Sequence, residues 1–264
     1  MTARTSTMVA RIVTDAGRAY IKAIGNPEGE HALACEWVGT NLAQWFGLPT
    51  LDFAIMRVEA ADEIWLDRKR TRKARPGPAF VTRAVKGDQW SGNPQHLDLL
   101  DNPDDLSRLV VFDTWLRNLD RCPPSKEPRN IFFSAEGASA GHFRLLAMDH
   151  THCFTNGRAL TPAIANILNW QDETIFGLFE AFIPKINKRV VESAANKLAN
   201  VINYDVAALM ASIPQEWSVD APTRAALAEF ICSRAAFLSD KMVDLLAPKC
   251  WPQGEFNFPE GGEP

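Results

Sequence analysis

The chain lacks any apolar run of about 18 residues, the length a membrane-crossing helix requires. Its first stretch, MTARTSTMVARIV, has no apolar segment of signal-peptide length. By elimination the expectation is a cytoplasmic protein. A CxxC pair is also missing. The five cysteines, Cys35, Cys122, Cys153, Cys232 and Cys250, are odd in number and widely spaced, which argues against a zinc site or disulfide framework and fits a reducing compartment. There is no cationic excess: the net charge is −4 and the pI near 5.8. Nothing in that balance suggests a nucleic-acid coat or a membrane surface. No internal repeat is visible.

What is present is enough for a sizeable core. Of 264 residues, 46% are hydrophobic and 23% charged, ordinary values for a globular protein. That length suits one large domain or a two-lobed unit with a shared cleft.

The apolar periodicity divides the chain. Residues 8–14 and 18–24 read as arms of a hairpin around Asp15-Ala16-Gly17. A helix is expected over about 30–46, with Leu33, Trp37, Val38, Leu42, Trp45 and Phe46 at helical spacing, ended by Gly47 and Pro49. Strands are expected over 53–58 and 79–85. Between them six of the eight residues from Arg68 to Arg75 are cationic. That run reads either as a solvated, mobile loop or as a docking or phosphate-contacting patch. A connection is expected near 84–95. Beyond it helices dominate: 104–119, then about 172–183, 185–200, 203–212 and 220–246, the last with Asp220 as N-cap and Pro222 in its first turn. Two short strands, 130–134 and 143–148, flank the small-residue loop EGASAG. The tail 251–264, rich in Pro, Gly and Glu, reads as frayed.

Three polar positions fall where regular elements end. Asn118-Leu119-Asp120-Arg121 closes an apolar helix, Asn130 opens an apolar strand, and Asp149-His150 closes another. Rigid elements can present such groups to a cleft. Each has an ordinary reading: Asp120-Arg121 as a helix-terminal ion pair, Asn130 as a strand opener after a turn. Asp149 is more informative, because a carboxylate ending a buried strand needs a partner. His150 and His152 flank Thr151, and a satisfied polar position is a simpler reading than a metal pair. Cys122 lacks an ordered base for a nucleophilic role. Phosphoryl transfer needs a carboxylate to orient the nucleophile, oxygen ligands for magnesium, and a cation on the phosphates. Asp120, Asn130 and Asp149 could supply the first two. Lys22, with Glu36 on the following helix to hold it, could supply the third.

Together the segments GRAYIKA with Glu36, FDTWLRNLDR, RNIFF, LLAMDHTHCF, and IPQEW with RAALAEFICSRAAFL resemble the HipA-like kinase family over about residues 8–246. The chain is more distantly similar to phosphatidylinositol kinases. The resemblance implies an α+β, two-lobed protein-kinase-like fold. Residues 1–86 would form a small N-terminal lobe with an antiparallel sheet and one helix. Residues 87–250 would form a larger, mainly helical lobe, and 251–264 a flexible tail. It implies a bacterial kinase with ATP and Mg2+ as cofactors and a Ser or Thr hydroxyl of a protein as acceptor. Asp120 would be the catalytic base, and Asn130 and Asp149 the magnesium ligands. Lys22, held by Glu36, would contact the phosphates, and Phe80, Val81, Thr82 and Arg83 would border the adenine.

Two departures define alternatives. Asp120 and Asn130 stand ten positions apart, against five in protein kinases, with CPPSKEPR between them, and there is no GxGxxG loop. These motivate a catalytically inactive kinase-like binding module, acting as a toxin–antitoxin or phage-defence partner. A lipid or small-molecule kinase is a third expectation, on the Asp-Arg pair and the basic run.

Overall fold

The structure is a computed structural model, and it describes residues 9–67, 69–121, 130–155 and 158–252. It is a mixed α/β fold with an antiparallel sheet and several helices. The loop CPPSKEPR, with Cys122, and most of the expected tail lie outside the described residues.

The first sheet has the order β1-β2-β4-β3 and is antiparallel throughout. Strands β1 (Ala10–Thr14) and β2 (Gly17–Lys22) pair in register from Ala10↔Ile21 to Thr14↔Gly17. Only Asp15 and Ala16 lie between them, and Gly17 at φ 116° closes the turn where a side chain would be strained. Strand β4 (Gly77–Arg83) runs between β2 and β3 (Phe53–Val58). Its register puts Phe80 opposite Lys22.

Helix α1 (Ala32–Phe46) is buried on almost every side, from Ala32–Glu36 through Leu42, Ala43 and Phe46. It ends in a Schellman motif. Gly47 takes the left-handed conformation at φ 87°, its N–H donates to Gln44 O, and Leu48 N–H donates to Ala43 O. Pro49 then prevents continuation.

The basic run is not a free loop. Trp65 and Lys73 form an antiparallel bridge, Leu66 N–H donates to Arg72 O, and Ala74 N–H donates to Ile64 O. Asp67 accepts from both the backbone and the hydroxyl of Thr71. Leu66 and Ala74 are buried in a small cluster with Ile21, Ala23, Val58 and Ala79. Those apolar anchors hold the two ends of the run. Lys69, Arg70, Arg72, Lys73 and Arg75 remain exposed.

A second sheet has the order β5-β6-β7. Strand β5 (Gly87–Gln89) pairs with β6 (Phe132–Ser134), which pairs with β7 (Arg144–Leu146). Helix α2 (Asp104–Leu116) is buried along nearly its whole length. It is followed by a 3-10 turn, Leu119–Arg121. Helices α3 (Ile167–Trp170), α4 (Lys188–Ala199), α5 (Val206–Ala211) and α6 (Ala221–Cys250) complete the chain. Asp220 caps α6 through Thr223 N–H, with Pro222 in the first turn. The main core is continuous from Leu33 of α1 through α2 to Leu246 of α6.

One expected helix does not form. Over 172–183 there is only the start of a 3-10 segment, Glu180–Lys185. Gly177 sits at φ 75°, and a Cβ there would meet Asp113 Oδ2 at 2.6 Å. The segment is drawn against α2 instead of coiling on itself.

Candidate active site

Lys22 ends β2 with its side chain 9% exposed. Its ammonium donates to Glu36 Oε2 at 2.5 Å, Asp149 Oδ1 at 2.8 Å and the Thr151 hydroxyl at 2.6 Å. An ammonium has three donors, and all are used. The Thr151 hydroxyl in turn donates to Glu36 Oε2 at 2.7 Å, with Asp149 Oδ1 3.1 Å away. Burial by itself would push the Lys22 pKa down, but the Asp149 and Glu36 carboxylates outweigh it and hold the ammonium well above its usual range. One cation therefore ties β2 and α1 to the segment after β7.

Asn130 and Asp149 stand at adjacent ends of the β6–β7 hairpin, and both are left-handed, at φ 59° and 61°. Asn and Asp tolerate that region better than other side chains. A third residue holds them there. Arg121 Nη1 donates to Asn130 O and to Met148 O, both at 2.9 Å. Its Nε and Nη2 donate to the two oxygens of Asp113 at 2.7 Å each. Both side chains are fully buried. This fork-to-fork pair is the geometry for which guanidinium is suited and ammonium is not. The Asp120-Arg121 pair is thus more than a helix-end ion pair, since Arg121 reaches back eight residues into α2.

Asp120 lies on the 3-10 turn beside this hub. Its Oδ2 accepts from Asn130 Nδ2 at 2.9 Å. The structure therefore joins Asp120 to Asn130 across the ten-residue separation. His152 Nδ1 lies 3.8 Å from Asp120 Oδ1. Burial pushes the Asp120 pKa up, His152 and Arg121 oppose the rise, and Asp149 adds to it.

The residues expected to border a nucleotide base are less alike. Phe80 is buried and stacks on Phe53 at 5.8 Å between ring centroids. Val81 and Thr82 are half-buried on β4, opposite Ile21 and Tyr20. Arg83 turns to the surface, donating to Asp52 at 2.8 Å and to Glu136 at 2.9 Å.

His150 is packed in the interior beside this cluster, with its Nδ1 3.9 Å from Glu36 Oε1. It is fully buried, its Nδ1 is 3.1 Å from the Thr40 hydroxyl, and its ring meets Phe112 edge-on at 5.6 Å. Desolvation holds its pKa well below the usual value. Gly39 permits this contact: a Cβ there would fall 2.4 Å from His150 Cβ.

Sequence reasoning missed Arg121 and Asp113 as positioning groups, and it missed Thr151 and Glu28. Glu28 lies on the loop between β2 and α1, where Asn26 Oδ1 accepts from its N–H. Its Oε2 is buried and has no hydrogen-bond partner among the described residues. Burial raises its pKa to about 7, with Lys22 and His152 opposing and Asp149 and Glu36 adding. The sequence marks this loop only by its turn-forming residues Gly25, Asn26, Pro27 and Gly29, and the structure puts both glycines at positive φ.

Lys22 bonds to two carboxylates, Glu36 and Asp149, and the charge of Glu28 adds to the field that keeps it protonated. An orphaned carboxylate oxygen and a pKa near 7 are what an additional cation would relieve. Asn130 and Asp149 offer an amide and a carboxylate, donors that suit magnesium. Among the described residues no group of three His, Cys, Asp or Glu could hold a metal. A cation here would therefore take further ligands from nucleotide phosphates or water, which is how magnesium is usually bound in such sites.

No helix among the described residues is long and apolar enough to cross a membrane. No curated protein matches the chain significantly. The model of the HipA-like kinase family matches residues 12–242. That span starts in β1 and ends within α6, so it takes in every element that shapes the site. Kinase activity, with ATP and a divalent cation in general, is what the family implies. The buried Lys22 cluster and the hairpin-end pair Asn130 and Asp149 fall inside one continuous match, and the chain belongs to the HipA-like kinase family.

Proposed function

We propose that the chain is an ATP-dependent kinase that phosphorylates a Ser or Thr hydroxyl of a protein in the cytoplasm. The observation that carries the reading is the Lys22 ammonium, which joins Glu36 of α1 to Asp149 after β7 with all three donors used. In this reading residues 1–86 form a nucleotide-binding lobe and residues 87–250 a lobe bearing the catalytic and metal loops. Glu36 holds Lys22 in place, and on nucleotide binding the ammonium turns a donor now spent on Asp149 or Thr151 to the phosphates. Asn130 and Asp149 hold Mg2+, and Asp120 orients the acceptor hydroxyl. The backbone of β4 from Phe80 to Arg83 borders the adenine. Bound ATP with its cation supplies the γ-phosphoryl group and an electrophilic phosphorus. The protein's part is positioning and charge compensation.

Incubation with labelled ATP and magnesium, beside an Asp120→Asn variant, tests the reading. Label transfer by the parent chain and its loss in the variant are expected. Equal transfer by both, or none by either, refutes the assignment. Thermal shift separates the alternative of an inactive binding module. ATP with magnesium at 100 times Kd should stabilise by about 2.7 kcal/mol, and no shift at millimolar ATP favours the module.

A further inference from the structure

A cavity of about 480 Å³ lies apart from the site described above, between the loop from β2 to α1 and the 3-10 turn Gln215–Trp217 that precedes α6. Lys22, Asp120, Asn130 and Asp149 do not line it. Its walls are tied to the rest of the fold. The Trp217 indole donates to Pro78 O of β4 at 2.9 Å. His31, at the start of α1, accepts from Leu160 N–H at Nδ1, 2.8 Å away, which leaves Nε2 to donate to Ser218 O at 3.3 Å. A concave space of this size between fixed elements suits a small ligand.

The lining presents one unpaired charge of each sign. Arg75 is pinned beside the loop, because its N–H donates to Ile24 O at 2.9 Å. Its guanidinium has no partner among the described residues. Glu30, on the opposite flank before α1, also lines the cavity, and its carboxylate is unpaired among the described residues as well. Glu216 is a third charge, but Arg57 Nη1 stands 3.6 Å from it. Asn26 adds a donor. Its Nδ2 is buried and has no hydrogen-bond partner among the described residues, while its Oδ1 accepts from Glu28 N–H at 3.1 Å, which settles the orientation of the amide. Ala23, Leu33 and Trp217 supply apolar wall. A simple anion would leave Glu30 unmet, and a simple cation would leave Arg75 and Asn26 unmet. A molecule carrying both charges answers all three.

We propose that this cavity is an effector site for a small zwitterion with an apolar side chain, a free amino acid or a dipeptide. The carboxylate meets the Arg75 fork, which suits it in planar geometry, and the Asn26 amide. The ammonium meets Glu30, and the side chain lies against Ala23, Leu33 and Trp217. Because Asn26 Nδ2 is covered, the amide must turn to reach the carboxylate, and Oδ1 of that same amide holds Glu28 N–H. Glu28 is not part of the lining. Its charge acts on Lys22 instead. The two ends of one short loop thus face the two sites, and occupancy of the cavity shifts a charge beside the Lys22 ammonium. Binding of the zwitterion stands by itself, and only its effect on ATP rests on the kinase reading.

Titration calorimetry on the full chain tests this, with leucine, methionine, phenylalanine and the dipeptide Ala-Leu as probes at millimolar concentration. At least one is expected to bind, and the amino acids against the dipeptide tell the two sources apart. Acetate and propylamine, each carrying one of the two charges, should bind about tenfold more weakly or worse. Arg75→Gln and Glu30→Gln, both at exposed side chains, should each weaken the bound probe by about tenfold or more. A saturating probe should change the Kd for ATP with magnesium by about fivefold or more, and ATP should change the Kd of the probe by the same factor. Binding by none of the probes, parental affinity in both variants, or acetate or propylamine binding as tightly as the zwitterion overturns the proposal. A probe that binds without changing ATP affinity overturns the effector role. A chain that binds the probe but neither binds ATP nor transfers phosphate removes the kinase reading and leaves the zwitterion site. A chain that transfers phosphate but binds no probe removes the zwitterion site and leaves the kinase reading intact.

Discussion

Replacing Arg121 by Met should be among the most damaging single changes in this protein. It would leave the fully buried Asp113 carboxylate with only Asn118 Nδ2, at 3.2 Å, as a side-chain donor. Breaking a buried ion pair from one side costs about 3–5 kcal/mol, because an uncompensated charge remains. At this chain length each kcal/mol shifts Tm by about 2–4 °C, so Tm should fall by roughly 6–20 °C. A second consequence is local. Asn130 O and Met148 O would lose their common donor, and left-handed residues, which cost about 1–3 kcal/mol each, would lose their restraint. The double variant Asp113→Leu with Arg121→Met separates the two effects. Removing both charges should recover much of the stability without restoring the donor. Denaturant unfolding then measures stability, and the Tm gain on adding ATP and magnesium measures the site. The double variant is expected to be stable yet to lose most of that gain. If Arg121→Met unfolds within about 1 kcal/mol of the parent, the argument that this pair clamps the two loops is wrong.

Two further changes test the walls of the site. Gly39→Ala would press a methyl 2.4 Å from His150 Cβ, and such overpacking costs about 1–3 kcal/mol; denaturant midpoints should fall accordingly, and an unchanged midpoint would show that α1 can slide freely past His150. Glu28→Gln should change the pH dependence of stability. The folded pKa of Glu28, about 7, stands above its ordinary 4.5, so between those values the folded chain binds more protons than the unfolded one and stability declines as pH rises. The variant should match the parent near pH 5, exceed it in Tm near pH 8, and disprove the burial of Glu28 if the two curves stay parallel.

Much of the local order follows from local chemistry, which a sequence displays. Gly47 and Pro49 end α1, Asp220 and Pro222 start α6, and Asp15-Ala16-Gly17 turns the first hairpin. The candidate site residues were legible for a related reason. Lys22, Asp120, Asn130 and Asp149 are polar groups at the ends of apolar segments, and the pattern of residues around them carries the family resemblance. What the sequence could not display are contacts between distant positions. The ammonium of Lys22 meets groups 127 and 129 residues away. Asp113 is a polar position within an apolar helix, and its role comes from Arg121 folding back onto it. The helix expected over 172–183 gave way because Gly177 packs on Asp113, a tertiary contact overriding local periodicity. Glu28 carries no mark of its own. Its pKa near 7 comes first from burial, and burial is decided only when β2, α1 and the segment after β7 close around the same ammonium. Sequence alone determined which residues stand at element ends, because capping and periodicity act over a few neighbours. The tertiary structure decided which of them meet, because charge and desolvation act through space.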